Sequence, residues 1–307
     1  MSPLRELLGN YLATRRALGF KLAEPEHALT QFVDFMEETG ETTIRHDLAT
    51  AWASRFNRST VLVRLNMVRQ FAEHVAWFDP ATEVPVLDAK PYVNHRPRPR
   101  ICSEEEIDAL LRAAGRLTPE FKAATWQTIL GLVSITGLRI SEACALDDTD
   151  ITSHGNGGQA LVRESKFGKS RIVPLHTTTM SAVAAYQRLR DRKFPGRPAG
   201  ALFVTRKGTR PAVKTAGNVF RQIRALAGMT ADETGPAVEW RHLRHSFATN
   251  TLIRHIRSGG DVDQMMPVLS TWLGHVGPAS TYWYLSNTPE LAAALGARLP
   301  VIGGSDE

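Results

Sequence analysis

Residues 239–250 read E-W-R-H-L-R-H-S-F-A-T-N. Arg241 and Arg244 lie three apart, as do His242 and His245, and on a helix each such pair shares a face. Guanidinium beside imidazole suits an anionic substrate. Arginine holds a phosphate through two parallel N–H donors, and imidazole exchanges protons near neutral pH. The plain alternative is a surface helix carrying a structural histidine. His245 fits that role, because it faces inward with Phe247, Ala248 and Leu252.

Three further stretches carry similar chemistry. In T-G-L-R-I-S-E, residues 136–142, Gly137 closes one helix and Arg139 opens the next, where main-chain N–H groups favour anions. Taken alone, Arg139 reads as a surface arginine paired with Glu142. The stretch E-S-K-F-G-K-S-R-I-V-P-L, residues 164–175, ends like a phosphate-binding loop. Arg163 occupies the position where that loop needs its first glycine, and no apolar strand leads into a helix, so the assignment is rejected. A hairpin turn presenting Lys166 and Lys169 remains. In L-G-H-V-G-P-A-S-T-Y-W-Y-L-S, residues 273–286, His275 precedes Tyr282 and Tyr284, which sit about 200° apart around a helix. One tyrosine can face a cleft while the other packs. A zinc site built from His242, His245, His255 and His275 lacks an HExxH pattern or a cysteine partner.

The elements that must position these groups are mostly helical. Residues 1–80 read as four amphipathic helices, marked by Leu4, Leu8, Tyr11 and Leu12, by Ala28, Phe32, Phe35 and Met36, by Trp52 and Phe56 after Asp47, and by Leu62, Leu65, Val68, Phe71 and Val75 after a possible cap at Ser59. Arg64 and Arg69 lie on the polar face of the fourth. Proline then recurs at 80, 85, 91, 97 and 99, ending in N-H-R-P-R-P-R, which reads as a basic extended linker. Ser103 with Glu106 forms a capping box. An apolar helix follows from Pro119 to Ile135, then another over about 139–146. A-L-V-R-E and S-R-I-V-P-L read as two short strands. Helices follow at about 177–193, 213–227, 241–257, 262–273 and 279–286, with a last one from Pro289. The organisation expected is a helical domain over 1–90, a linker over 91–100 and a second domain over 101–307.

Charge separates the two parts. The chain of 307 residues carries a net +6. Residues 1–90 hold 10 basic and 12 acidic side chains, and 91–307 hold 27 and 19, so the excess lies wholly in the second part. That balance points to a polyanion, with nucleic acid first, although a solvated basic surface gives the same sum. No apolar run is long enough to span a bilayer, and the first residues lack the pattern of a secretory signal. The two cysteines, Cys102 and Cys144, form no metal or redox spacing, which fits a reducing cytoplasm.

The ordered set T-G-L-R-x-S-E, lysine hairpin, L-R-H-S-F-A-T, L-G-H and a tyrosine nine residues later resembles the tyrosine recombinase, or phage integrase, family. The resemblance is specific over 100–290 and looser over 1–90, where the bundle is similar to that family's SAM-like core-binding domain. It implies a mostly α fold with a small antiparallel sheet, made of that bundle and a tyrosine-recombinase catalytic domain. It implies a site-specific DNA recombinase that cleaves and rejoins DNA through a 3′-phosphotyrosyl intermediate, with no cofactor, ATP or metal. Arg139 and Arg244 match the two phosphate-binding arginines, Lys166 the general acid with Lys169 in reserve, and His275 the phosphate-binding histidine. Tyr284 matches the nucleophile, which leaves Tyr282 as a packing residue, and Glu142 matches a supporting acid. Arg64, Arg69, Arg96, Arg98, Arg100 and Lys169 are candidate contacts to double-stranded DNA. The implied assembly is a homo-oligomer on DNA, a dimer per site and a tetramer in synapsis, in the cytoplasm at the nucleoid. The helix from Pro289 offers an apolar edge, Leu291 and Leu295, to a neighbour.

One position departs. The family reads H-x-L-R-H, and here Arg241 stands where its first histidine belongs. That histidine is a proton acceptor, and arginine has no acceptor to offer. Three readings follow: Arg241 acts through its charge, a shifted helix brings His242 into the site, or the protein binds DNA without cutting it. The first is preferred. A relaxing enzyme of the type IB topoisomerase kind would cleave similarly without strand exchange.

Overall fold

A computed structural model of the chain describes residues 2–87, 100–163, 170–196, 200–231, 237–275, 281–282 and 289–296. The chain divides into two units, Met1–His95 and Arg96–Glu307.

The first unit is a bundle of α1 (Pro3–Ala17), α2 (Ala23–Glu38), α3 (His46–Ala53) and α4 (Arg58–Val75). Ser2 caps α1 by accepting the N–H of Arg5, and Pro3 supplies a first-turn φ at no hydrogen-bond cost. Leu29, Phe32, Met36, Trp52, Val68 and Phe71 are fully buried between the helices. Burying each such side chain stabilises the unit by about 1.5–3 kcal/mol. Asn57, not Ser59, is the N-cap residue of α4. Residues 82–87 belong to this unit although proline recurs through them. Glu83 N–H donates to the Ile44 carbonyl at 2.8 Å, and Leu87 packs on the bundle core.

The second unit opens with α5 (Glu104–Gly115), whose capping box is formed: Ser103 Oγ accepts from Glu106 N–H, and Glu106 Oε2 from Ser103 N–H. Helix α6 (Glu120–Thr136) is apolar around most of its circumference, which makes it the central core helix. Phe121, Trp126, Ile129, Leu130 and Val133 are all buried. After α7 (Ile140–Ala145), three strands form an antiparallel meander, β1 (Ile151–His154), β2 (Gly157–Val162) and β3 (Arg171–Leu175), in that spatial order. The sequence reading had two of these strands. β1 escaped it because it is short, polar and exposed, and only the Gly155-Asn156 hairpin turn betrays it. Pro174 is tolerated because β3 is an edge.

Helices α8 (Thr177–Lys193), α9 (Val213–Leu226), α10 (Trp240–Arg257), α11 (Val262–Leu273) and α12 (Pro289–Gly296) complete the unit. Of the expected helix at 279–286, only Thr281 and Tyr282 are described, and both are helical. Leu291 of α12 is buried in a cluster with Phe247, Leu252, Ile256, Met266, Leu269 and Leu273 of the same chain. Leu291, one of the two leucines expected to meet a neighbour, therefore meets its own α10 and α11, where leaving water costs no association entropy.

Candidate active site

Two main-chain turns frame the site. The first closes α6. Gly137 takes φ +64°, and a Cβ there would meet Phe247 Cδ1 at 2.5 Å and Leu273 Cδ2 at 2.9 Å. Both the backbone conformation and the close packing therefore require glycine. The second closes α11. Gly274 takes φ +65°, its N–H donates to the Thr271 carbonyl, and His275 N–H donates to the Ser270 carbonyl, both at 3.0 Å. This is a Schellman turn, and it sets where His275 leaves the helix.

Arg244, on the first half of α10, joins the two turns. Its Nη1 donates to the Gly137 carbonyl at 2.8 Å and its Nη2 to the Leu273 carbonyl at 2.5 Å. The residue is buried, and these two neutral acceptors orient its guanidinium. Arg139, half-buried, sits just before α7 and donates through Nη1 to Glu142 Oε1 at 2.8 Å. Glu142 Oε2 accepts the Arg139 main-chain N–H at 2.9 Å. The surface pairing weighed for these residues is thus real, but Glu142 is buried rather than solvated.

The sequence reading missed the strongest partner of Glu142. Arg171 donates to it twice, Nη1 to Oε1 at 3.1 Å and Nη2 to Oε2 at 2.8 Å, and its Nε donates to the Trp272 carbonyl at 2.6 Å. Burial by itself raises the Glu142 carboxyl. The hydrogen bond and charge of Arg171, then the bonds from Arg139, outweigh it and hold the group below its ordinary value. A signal existed in the sequence. Arg171, Val173 and Leu175 share one face of β3, so an arginine falls on a strand face that is otherwise apolar.

His275 completes the cluster. Burial pushes its imidazole down to about 4, and the charges of Arg244, Arg139, Arg171 and His245 add to the effect. It is therefore neutral at physiological pH. Its Nδ1 lies 2.7 Å from Oγ1 of the buried Thr281, a second residue the sequence reading passed over. Arg139, Arg244, Glu142 and His275 are thus brought together, with Arg171 among them.

The histidines of α10 exchange the places expected of them. His242 is the buried one, and its Nδ1 accepts the Glu239 N–H at 3.0 Å at the start of the helix. A helix that begins at Trp240 turns position 242 toward the core, so a shift that frees His242 would break this cap. His245 is half-buried on the side of the charged cluster. Arg241 is exposed and pairs with Glu239 at 2.9 Å. Tyr282, expected to pack, is 44% exposed, because its buried neighbour Thr281 takes the inward position. Among the described residues no group of three or more His, Cys, Asp or Glu could hold a metal ion. His255 instead meets the Asp261 carbonyl at 2.9 Å.

Of the remaining candidates, Arg64 lies over the Phe56 ring at 3.6 Å and donates to Gln31, Arg69 pairs with Glu73 at 3.2 Å, and Arg100 pairs with Glu106 at 2.9 Å. Lys166, Lys169, Arg96, Arg98 and Tyr284 lie outside the described residues.

Residues 100–290 match the phage integrase family. The chain belongs to that family. This recombinase is 37% identical over 312 residues to y4rB of Sinorhizobium fredii (strain NBRC 101917 / NGR234), a protein provisionally named an integrase/recombinase, covering 97% of this chain and 98% of that one. It is 31% identical over 244 residues to the tyrosine recombinase XerD of Mycobacterium tuberculosis (strain CDC 1551 / Oshkosh), covering 78% and 72%. The fold is shared with the Tn1549 transposon integrase in complex with transposon right end DNA, at a TM-score of 0.63 and 18% identity over 97% of this chain and 99% of the other. These relatives make it a tyrosine-type site-specific recombinase, mostly helical with one small antiparallel sheet. Among the described residues no helix is long and apolar enough to cross a membrane.

Proposed function

We propose that this recombinase cuts and rejoins duplex DNA through a 3′-phosphotyrosyl intermediate formed on Tyr284. The observation that carries the reading is the convergence of Arg139, Arg244 and His275 on the two turns at 137–139 and 273–275, where burial first and the surrounding positive charge second keep His275 neutral. A phosphodiester fits such a place. Arg139 and Arg244 bind its non-bridging oxygens. With the Thr281 hydroxyl donating to Nδ1, His275 carries its hydrogen on Nε2 and donates it to the same phosphate.

The Tyr284 oxygen attacks phosphorus and the 5′ oxygen leaves, taking a proton from Lys166. A 5′-hydroxyl from another duplex then attacks the phosphotyrosine and releases the tyrosine. Two transfers of similar energy replace one hydrolysis, so no ATP is consumed. The pentacoordinate state carries one more negative charge than the phosphodiester, and fixed cationic donors stabilise it as metal ions do in many nucleases. Arg241 acts through its charge and favours the tyrosinate. On DNA the protein acts as a dimer per site and a tetramer in synapsis. Arg64, Arg69, Arg96, Arg98, Arg100 and Lys169 contact the DNA, mostly through phosphates.

A second reading has one observation in its favour: Arg241 replaces a proton acceptor and is engaged by Glu239 at an exposed position. On that reading the protein binds DNA as an accessory factor and does not cut.

Covalent trapping separates the two. Wild type, Tyr284→Phe, Tyr282→Phe and Arg241→His are incubated with nicked suicide duplexes from the flanks of the gene. An SDS-stable adduct lost only in Tyr284→Phe is the expected result. A general base contributes roughly 10²–10⁴-fold where one is in place, so Arg241→His is expected to raise the adduct rate at least severalfold. Gel-shifted DNA with no adduct in any variant would establish the accessory role instead.

A further inference from the structure

Glu142 is a liability unless something answers it. It lies beside Arg139, and a buried carboxylate facing one arginine would draw that guanidinium into a closed ion pair. Phosphate would then have to compete with Glu142 for Arg139. The structure places a second arginine on the same carboxylate, with both oxygens engaged and both partners buried. Three guanidinium charges and one carboxylate leave a net charge of +2 among Arg139, Arg171, Arg244 and Glu142. That is the charge of opposite sign to a phosphorane dianion. Without Arg171 the same cluster would carry +1, which matches only the ground-state phosphodiester.

Arg171 also has a mechanical hold. Its Nε grips the Trp272 carbonyl, and its guanidinium packs so closely over Gly274 that a Cβ there would lie 2.8 Å from Nη1. The side chain therefore bridges β3, α7 and the turn from which His275 emerges. We infer that Arg171 is a positioning residue of the phosphate site: by taking the charge of Glu142 it leaves Arg139 to the scissile phosphate, and by holding the 272–274 turn it sets His275. This rests on the strand-cutting function proposed above.

The test compares adduct formation by wild type, Arg171→Met and Arg171→Met/Glu142→Gln on two suicide duplexes. One carries a phosphodiester at the scissile position and the other a methylphosphonate, whose transition state bears one less negative charge. If Arg171 serves the charge of the site, Arg171→Met slows cleavage of the phosphodiester on the order of 100-fold and of the methylphosphonate by less than tenfold. Removing Glu142 as well restores the net charge, and the double variant regains at least tenfold on the phosphodiester. An equal loss on both substrates with no recovery in the double variant would reduce Arg171 to a strut of the fold and overturn the inference while leaving the function intact. Should Arg171→Met fail to fold, the double variant decides alone, since replacing both members of a buried pair is well tolerated. A phosphodiester rate within tenfold of wild type supports the inference, and a loss beyond 100-fold overturns it. A wild-type protein that binds both duplexes and forms no adduct removes the function and this inference together.

Discussion

Arg5 and Arg16 in the first unit and Arg244 in the second are used in opposite ways. In the first, Arg5 donates to Asp34 at 2.6 Å and to both oxygens of Glu37, and Arg16 meets Glu26 at 2.5 Å. Those guanidinium charges are cancelled by carboxylates near solvent. In the second, Arg244 is buried and donates to two carbonyl oxygens, which orient it and carry no opposing charge themselves. For these arginines the acceptor marks the difference: the carboxylate partners of Arg5 and Arg16 make them fasteners, and the carbonyl partners of Arg244 suit the phosphate-binding role proposed for it.

The contrast breaks most plainly by truncation. Arg244→Ala removes the guanidinium proposed to bind phosphate and takes a donor from the Gly137 and Leu273 carbonyls. Cleavage is expected to fall on the order of a thousandfold, and stability by about 2–4 kcal/mol, read by adduct kinetics and urea unfolding. Arg5→Ala should leave the adduct rate unchanged within error. A comparable loss in both variants would erase the distinction.

Gly137→Ala tests the turn rather than the arginine. Left-handed backbone costs an alanine about 1–2 kcal/mol, and the contact with Phe247 adds about 1–3 kcal/mol of overpacking. Unfolding in urea should therefore shift by roughly 2–5 kcal/mol. A near-neutral result would mean that the Gly137 carbonyl can move, and with it the seat of Arg244.

Acid sharpens the comparison most gently. His275 has a folded value near 4, below the ordinary histidine value of 6.5, so the unfolded chain binds the extra proton first. Stability is full above about 6.5 and declines as pH falls toward 4. In the first unit the Glu37 carboxyl is held down to about 2, chiefly by its hydrogen bond from Arg5 and then by Ser2. Its contribution is present above about 4.5 and is lost as pH falls toward 2. Denaturation curves of His275→Gln should lose slope only in the upper window, and those of Arg5→Ala only in the lower one. A loss in the same window for both would contradict these assignments.

Much of the candidate site was legible from residue order, because in this chain the chemistry-bearing side chains stand close to the glycines that aim them. Gly137 before Arg139 and Gly274 before His275 are visible in one dimension. Arg171 was not, since its importance comes from a carboxylate 29 positions away and a carbonyl 101 positions away. The roles of His242 and His245 were exchanged for a different reason. With Trp240 as the first residue of α10, the cap at Glu239 fixes the inward face, and apolar spacing alone leaves that phase open by a step of about 100° per residue. β1 was lost because an edge hairpin strand with one polar face gives no hydrophobic run to count.

The seat of Arg244 has a consequence for how this region can vary. Its two anchors are main-chain oxygens, which every residue type possesses. Exposed side chains on the two turns that take no part in the site are free to drift so long as the turns keep their shape. A saturation library across 136–139 and 271–275 should therefore tolerate wide change at the exposed Thr271, apolar residues only at the buried Leu138, and least change of all at Gly137 and Gly274. The tolerance map would trace the path of the backbone, not the chemistry of its neighbours.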